Sequence, residues 1–401
     1  MRAEPGASCP REAASHDGGS AKDGCESAYV NDGAGGGRCQ ILRPASHLRA
    51  YRQPWGATRP LPLATGAFVL SLFSCRQPEL AIDFGTANLR LIRRDDGIVF
   101  EEPSLCCFAD LDSRPTLVAA GAAAAAMVDR THSNLTVKRP LRRGVLQDIQ
   151  AATELLRYAL LSVLGRQCAG GPSVMIAVPA DATQAERSAL MTASREAGLN
   201  SVRLINEPYA AAVGAGLPVE KPCGTMIVEC GAGTTEAAVI SLGALCLTRS
   251  RRIGGTSLDQ AITDYLHARR KFLVGALTAE RIKQDYGAER DAASQDEGTI
   301  TIKGRNLASE RPEAFDLPLR ELDGVVEKHV MHIVDVIREI LNITPPELSR
   351  DIHTGGIVLT GGSAVTPLLR RKIREETGLH VTIADDPARC VATGLHRIMQ
   401  G

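Results

Sequence analysis

The chain has 401 residues, with 46 Lys or Arg and 46 Asp or Glu, so its formal net charge is zero. This balance gives no electrostatic support to nucleic acid as a partner, and an aromatic content of 3% leaves few side chains for base stacking. No apolar run reaches the roughly 18 residues that span a bilayer. The eleven cysteines form no C-x-x-C pair, so neither a zinc site nor a disulfide framework is expected.

The N-terminal 66 residues differ from the rest of the chain. Glycine and proline interrupt every helical or strand pattern there, and residues 38–59 contain five arginines and no acid. Such a segment buries too little apolar surface to offset the entropy lost on ordering. We therefore predict that residues 1–66 are a disordered extension.

Residues 67–75 form a short apolar segment just before the ordered part of the chain. Phe68, Leu70, Leu72 and Phe73 are its large apolar side chains. One interpretation is an anchor that inserts at a membrane surface. The other is an apolar lead-in to the first strand, and the sequence leaves both open.

From Glu79 onward the pattern is typical of an α/β protein. Apolar runs at 80–82, 173–178, 225–228 and 357–359 predict buried strands. Amphipathic stretches between them predict helices over 183–197, 256–270 and 325–341. The first begins with a capping box, Thr183 to Glu186, and Gly198 suits its end.

Two glycine-rich turns carry the first chemical signal. Asp83 follows a predicted strand and precedes Gly85, Thr86, Ala87 and Asn88. Glycine lets the backbone approach a ligand, successive turn amides can surround a phosphate, and the carboxylate is placed to hold hydrated magnesium. A single such motif is equally typical of an ordinary hairpin.

The second turn repeats this design. Glu229 ends a predicted strand and precedes Gly231, Ala232, Gly233 and Thr234, after which a new strand begins. The pair is much more specific than either copy. It predicts two related half-domains that face one nucleotide.

Three further motifs fit a nucleotide site. Glu207 stands before Pro208 at a strand-to-helix corner, where it could orient an attacking water, although helix N-termini also favour acids for structural reasons. Glu280 and Lys283 share a helix face and could hold ribose and base, or could simply form a solvated pair. Gly361, Gly362 and Ser363 follow a buried strand and could approach the nucleoside.

Five motifs in this order resemble the actin/Hsp70/sugar-kinase ATPase superfamily, and the chain most resembles its bacterial actin family, MreB. The resemblance covers roughly residues 76–399. Beyond the nucleotide motifs it is carried by the stretches at 97–104, 139–146, 182–187, 214–218, 252–255, 303–307 and 345–348.

The resemblance implies an actin-like ATPase fold, with two lobes of two subdomains each around a central nucleotide cleft. Lobe I would be 76–215, with 385–399 returning to it, and lobe II would be 216–384. ATP and Mg²⁺ would be the cofactors. The metal would lie near Asp83 and Glu229, and Glu207 with Thr235 as its helper would position the lytic water.

Family likeness also implies the biological setting. The protein would be a slow ATPase that pairs with itself in protofilaments, would be cytoplasmic, and would lie against the inner face of the cell membrane. It would organise the cell-wall elongation machinery and help determine rod shape, with no nucleic-acid partner.

The second turn departs from the family pattern Asp-x-Gly-Gly-Gly at two positions. Glu229 is one methylene longer than Asp, and magnesium tolerates poor octahedral geometry badly. Ala232 would add strain if its backbone needed a positive φ. These changes support the hypothesis of slow hydrolysis, or of a divergent copy that works beside an ordinary family member.

Two alternatives remain open. A soluble chaperone-like or sugar-kinase-like ATPase would need a peptide-binding domain or a sugar pocket, and no motif here predicts either. A plasmid-segregation filament would share the fold but not the membrane. Self-assembly and membrane recruitment distinguish these functions.

Overall fold

The computed structural model describes residues 78–401 except 112–113, 166–171 and 293–297. The predicted extension, residues 1–66, and the apolar segment with Phe68, Leu70, Leu72 and Phe73 lie outside the described residues.

The strands of the described part are β1 (Leu80–Phe84), β2 (Asn88–Arg93), β3 (Gly97–Pro103), β4 (Cys106–Leu111), β5 (Arg114–Ala120), β6 (Leu135–Lys138), β7 (Leu141–Arg142), β8 (Val145–Leu146), β9 (Ser173–Val178), β10 (Ser201–Asn206), β11 (Thr225–Cys230), β12 (Thr235–Ser241), β13 (Ala244–Arg251), β14 (Phe272–Leu273), β15 (Thr299–Asn306), β16 (Pro312–Pro318), β17 (Ile357–Thr360) and β18 (Val381–Ile383). Its helices are α1 (Gly121–Ala125), α2 (Ile149–Leu164), α3 (Gln184–Glu196), α4 (Glu207–Gly214), α5 (Gly255–Arg270), α6 (Ala276–Ala292), α7 (Arg320–Ile343), α8 (Pro346–Gly355), α9 (Leu369–Thr377) and α10 (Cys390–Gln400).

Two five-stranded sheets share one topology. The first sheet has the order β10-β9-β1-β2-β3, and the second has the order β13-β12-β11-β17-β18. In the first, β1 pairs antiparallel with β2 and parallel with β9. In the second, β11 pairs antiparallel with β12 and parallel with β17. Each half thus places a hairpin beside a parallel crossover. The repeated turn motif had predicted two related halves, each with such a hairpin.

Smaller sheets accompany the two large ones. Strands β5-β4-β6 form one three-stranded sheet, which packs with α1, and β14-β15-β16 form another, which packs with α6. The short hairpin β7-β8 forms a two-stranded sheet that pairs with no other described strand.

The central strands are continuous apolar runs because both faces of their sheet are buried, so successive side chains enter two different cores. Leu80 and Ile82 of β1 belong to a core shared with α2 and α3, whereas Ala81 points to the other face of the sheet. There it joins Ala211 of α4 and Leu395 of α10 in a core that also contains Ile227 of the second sheet. Helices α4 and α10 therefore pack between the two sheets, and both faces are buried.

Local signals placed most helix ends correctly. In the capping box of α3, the Thr183 amide donates to Glu186 Oε2 at 2.7 Å, and the Glu186 amide donates to Thr183 Oγ1 at 3.2 Å. Gly198 follows the helix with a φ of +100°. Helix α7 begins at Arg320, five residues before the expected start at 325, because buried Leu322 and two first-turn acids extend it. No described helix is long and apolar enough to cross a membrane.

Candidate functional site

A cavity of about 520 Å³ lies where the turns of the two central hairpins meet. The β1–β2 turn and the β11–β12 turn line one end of it. The segment after β17 and helix α6 also line it.

The two turns have the same backbone design. The amide of Gly85 donates to the carbonyl of Asn88 at 3.0 Å, and the amide of Gly231 donates to the carbonyl of Thr234 at 2.8 Å. Side chains from outside the turns hold each in place: Ser104 Oγ donates to the Gly85 carbonyl at 2.8 Å, and Ser363 Oγ donates to the Gly231 carbonyl at 3.0 Å.

A third loop closes the space between the turns. In the β7–β8 turn, the Gly144 amide donates to Thr86 Oγ1 at 3.1 Å. A Cβ on Gly233 would stand 2.4 Å from Thr86 Oγ1 and 2.7 Å from the Gly144 nitrogen, so only glycine fits there without a shift. Three loops that are distant in sequence therefore meet at this end of the cavity.

The cross-strand partners of the two motif acids differ in charge. Asp83 stands opposite Arg90, and Glu229 stands opposite Glu236. Arg90 Nη1 donates to Asp83 Oδ2 at 2.8 Å, so the first hairpin carries its own counter-charge. The second hairpin places two carboxylates face to face, an arrangement that destabilises a sheet unless something offsets it.

Burial and mutual repulsion control the protonation of these acids. Burial, and then the charge of Glu229, raises the pKa of Glu207 well above its ordinary value. Burial followed by the charge of Glu236 does the same to the pKa of Glu229. Burial raises the pKa of Glu236 to about 7, although the Ala180 amide donates to its carboxylate. For Asp83, burial raises the pKa while Arg90 opposes the rise.

A cation fits beside the second turn. One carboxylate oxygen from each of Glu207, Glu229 and Glu236 lies within 4.8 Å of the others. Glu229 Oε2 is buried without a hydrogen-bond partner, so this oxygen lacks the compensation that a buried polar atom needs. Carboxylate oxygens are the ligands that Mg²⁺ prefers. The donor set thus suits magnesium, whereas one oxygen of Asp83 is already paired with Arg90.

Helices α5 and α6 and the segment after β17 supply more of the cavity lining. Lys283 Nζ lies 2.9 Å from Asp259 Oδ1 and donates to the Gly255 carbonyl at 3.3 Å. Gly361 has a φ of +84°, and a Cβ there would stand 2.2 Å from the Cys230 carbonyl oxygen. This glycine lets the chain pass directly over the end of β11.

The structure brings together almost every residue that the sequence singled out. The residues that line the cavity are Asp83, Gly85, Thr86, Ala87, Asn88, Glu207, Glu229, Gly231, Ala232, Gly233, Thr234, Glu280, Lys283, Gly361, Gly362 and Ser363. Thr235 is not among them: it is fully buried, and its Oγ1 donates to the Ile253 carbonyl at 3.0 Å. A hydroxyl held in this way is not presented to the cavity as a helper of the lytic water.

Other lining residues were not predicted. They include Arg90, Gly144, Tyr286, Gly287, Pro387 and Val391. Ala232 lines the cavity, but its φ is not positive. The strain considered for this alanine is therefore absent, and its methyl group alone distinguishes it from glycine.

Comparison with known proteins agrees with this geometry. The model of the MreB/Mbl protein family matches residues 77–401. The cell shape-determining protein MreB of Escherichia coli (strain K12) is 40% identical over 319 residues, which cover 79% of this chain and 91% of that protein. The cell shape-determining protein Mbl of Bacillus subtilis (strain 168) is 34% identical over 316 residues, which cover 79% and 94%.

Solved structures have the same architecture. MreB5 of Spiroplasma citri bound to AMPPNP superposes with a TM-score of 0.74 at 32% identity, covering 80% of this chain and 95% of that one. A MamK double helical filament shares the fold with a TM-score of 0.64 at 21% identity, covering 80% and 98%. The chain has the actin-like fold, and it belongs to the MreB/Mbl family of bacterial cell shape-determining proteins.

Proposed function

We propose that this chain binds ATP in the cavity and assembles into filaments on the inner face of the cytoplasmic membrane. There the filaments organise cell-wall synthesis and help determine rod cell shape. The names of the relatives support the shape role. The AMPPNP and ADP held by MreB5 of Spiroplasma citri support the nucleotide.

One observation carries the proposal. Two turns of the same backbone design, one from each large sheet, meet at one end of a single cavity. Turn amides can surround phosphate oxygens. A ligand with phosphates at one end and a nucleoside at the other would place the phosphates against these turns and the nucleoside near Glu280 and Lys283, which line the same cavity.

Hydrolysis would use the acids beside the second turn. Glu207, the first residue of α4, would orient the attacking water. Magnesium held near Glu229 would stabilise the charge that develops on the transferred phosphate.

Turnover should be slow. Glu207, Glu229 and Glu236 stand close together beside the second turn, and Glu229 reaches farther than Asp. A Glu229→Asp variant should release phosphate faster, and an unchanged rate would contradict this role of Glu229.

Membrane attachment would depend on the segment before the described residues. Phe68, Leu70, Leu72 and Phe73 would insert into the headgroup boundary, while the filament supplies many copies of this weak anchor. An apolar lead-in to β1 is the alternative interpretation of the same residues.

The test is co-sedimentation of the full chain with anionic liposomes, with and without Mg-ATP, followed by negative-stain microscopy. Paired filaments on lipid that require ATP would support the whole proposal. A full-length variant with all four apolar residues changed to Ser should still form filaments but should leave the lipid. A chain that binds ATP yet neither pellets nor coats lipid would favour a soluble ATPase, and filaments that ignore lipid would favour a segregation filament.

A further inference from the structure

Arg90 is a cation inside the proposed phosphate end of the cavity, and no motif assigns it a role. Its side chain is 9% exposed. Among the described residues that line the cavity, the cations are Arg90 and Lys283. Lys283, which the proposed function assigns to the nucleoside, pairs with Asp259. Arg90 is the lining cation that pairs with Asp83, beside the first turn.

Two carboxylates fix the guanidinium in place. Arg90 Nη1 lies 2.8 Å from Asp83 Oδ2, and Arg90 Nε lies 2.8 Å from Glu101 Oε1. Glu101 is held in turn by Arg389, whose Nη2 lies 2.8 Å from Glu101 Oε2. An arginine held on two sides cannot swing to follow a ligand. It acts instead through the charge that it places beside Asp83.

The position of this charge matters because Asp83 sits where the turn amides would hold phosphate. A nucleotide that binds without a metal ion brings several negative charges close to this carboxylate, and the two repel. A magnesium ion normally removes such repulsion. We propose that Arg90 neutralises Asp83 permanently, and so lowers the dependence of nucleotide affinity on magnesium.

The second hairpin provides a contrast within the same molecule. Glu229, the counterpart of Asp83, faces Glu236 where Asp83 faces Arg90. The first hairpin therefore carries a cation opposite its motif acid, and the second hairpin carries a carboxylate there. Magnesium would still be held beside the second hairpin and would still serve hydrolysis. The inference therefore concerns affinity, and it rests on the proposed nucleotide site.

The experiment measures the dissociation constant of fluorescent ADP in EDTA and in excess magnesium. The ratio of the EDTA value to the magnesium value reports how strongly affinity depends on magnesium. In Arg90→Met this ratio should exceed the wild-type ratio at least about tenfold, because opposite charges a few ångströms apart in a partly buried site change affinity by that much or more. Arg90→Gln, which keeps a donor for Asp83 without the charge, should behave in the same way if the Met variant does not fold.

Two further variants test the route of the effect. Asp83→Asn combined with Arg90→Met removes both charges of the pair, and its ratio should return to within about threefold of wild type. Arg389→Gln removes a cation from the same chain of ion pairs outside the cavity, and its ratio should stay within about twofold. An unchanged ratio in Arg90→Met or Arg90→Gln would overturn the inference alone. Wild-type protein that binds no nucleotide in magnesium would overturn the proposed function with it.

Discussion

Gly214 of α4 and Gly394 of α10 touch where these two helices cross between the large sheets. A Cβ on Gly394 would stand 2.9 Å from the Gly214 amide nitrogen and 1.7 Å from the Ala210 carbonyl oxygen. A Cβ on Gly214 would meet the Cys390 carbonyl oxygen at 1.8 Å. The atoms in the way are backbone atoms, so neither helix can yield by changing a rotamer.

Gly394→Ala should destabilise the protein by about 1–3 kcal/mol or more, because the added methyl forces two packed helices apart. Chemical denaturation measures this change. Gly324→Ala is the matched control: this exposed glycine lies inside α7, and a Cβ there meets nothing within 4 Å. It should stabilise the protein by about 0.5–1 kcal/mol, since alanine has the higher helix propensity. Equal effects of the two substitutions would contradict the crossing geometry.

Gly233→Ala should weaken nucleotide binding about tenfold, an energy typical of one badly placed methyl group. The new Cβ would stand 2.9 Å from Arg143 Cα, in addition to its clash with Thr86 and Gly144. The β7–β8 turn would have to move away from the cavity. Titration with fluorescent ADP measures the affinity, and Gly324→Ala again serves as the control. Unchanged binding would show that this turn does not form a wall of the site.

Glu207→Gln should slow ATP hydrolysis by about 10²-fold or more, the usual contribution of a group that positions or activates water. Nucleotide affinity should hold or rise, because the substitution removes a negative charge from the cavity. Single-turnover phosphate release and equilibrium binding together separate the two effects. Glu347→Gln, on an exposed position of α8, should change neither. A parallel loss of binding and hydrolysis would contradict the assigned role.

His329 should make stability depend on pH. It is buried in α7, its Nε2 has no partner, and burial followed by nearby positive charge from His332 and Lys283 lowers its pKa to about 4. The unfolded chain takes up this proton near pH 6.5 and the folded chain only near pH 4. Stability contributed by the neutral ring is therefore complete above pH 6.5 and is lost as the pH falls through this window.

His329→Leu should remove that loss, which is on the order of 3 kcal/mol between pH 6.5 and 4. Urea denaturation at several pH values measures it. The variant should gain stability relative to wild type as the pH falls, and His353→Gln, at an exposed position of α8, should follow the wild-type profile. Parallel profiles for His329→Leu and wild type would contradict a buried neutral ring.

Much of the site was predictable because its turns are formed by residues that are close in sequence. The turns at Gly85 and Gly231 each join adjacent strands, so the motif alone fixes their geometry. Arg90 was missed, yet the hairpin register gives it directly: a turn that closes between Gly85 and Asn88 sets Asp83 opposite Arg90. A charged residue inside an apolar strand was the available signal.

Other contacts could not have been predicted from the sequence pattern. Gly144 meets Thr86 from 58 positions away through a two-stranded hairpin with little periodicity of its own. Thr235 fits the motif, but the side-chain alternation of β12 turns it toward the Ile253 carbonyl. The matching topology of the two large sheets followed from the repeated turn, whereas the early start of α7 depended on tertiary burial of Leu322.

The unequal partners of Asp83 and Glu229 have a consequence for any ligand between the sheets. Two halves of like topology would, by themselves, offer a ligand two equivalent ways to lie. Because one hairpin carries an arginine where the other carries a second glutamate, the two orientations differ in electrostatic energy. A single subunit thus distinguishes the two orientations of a ligand by itself.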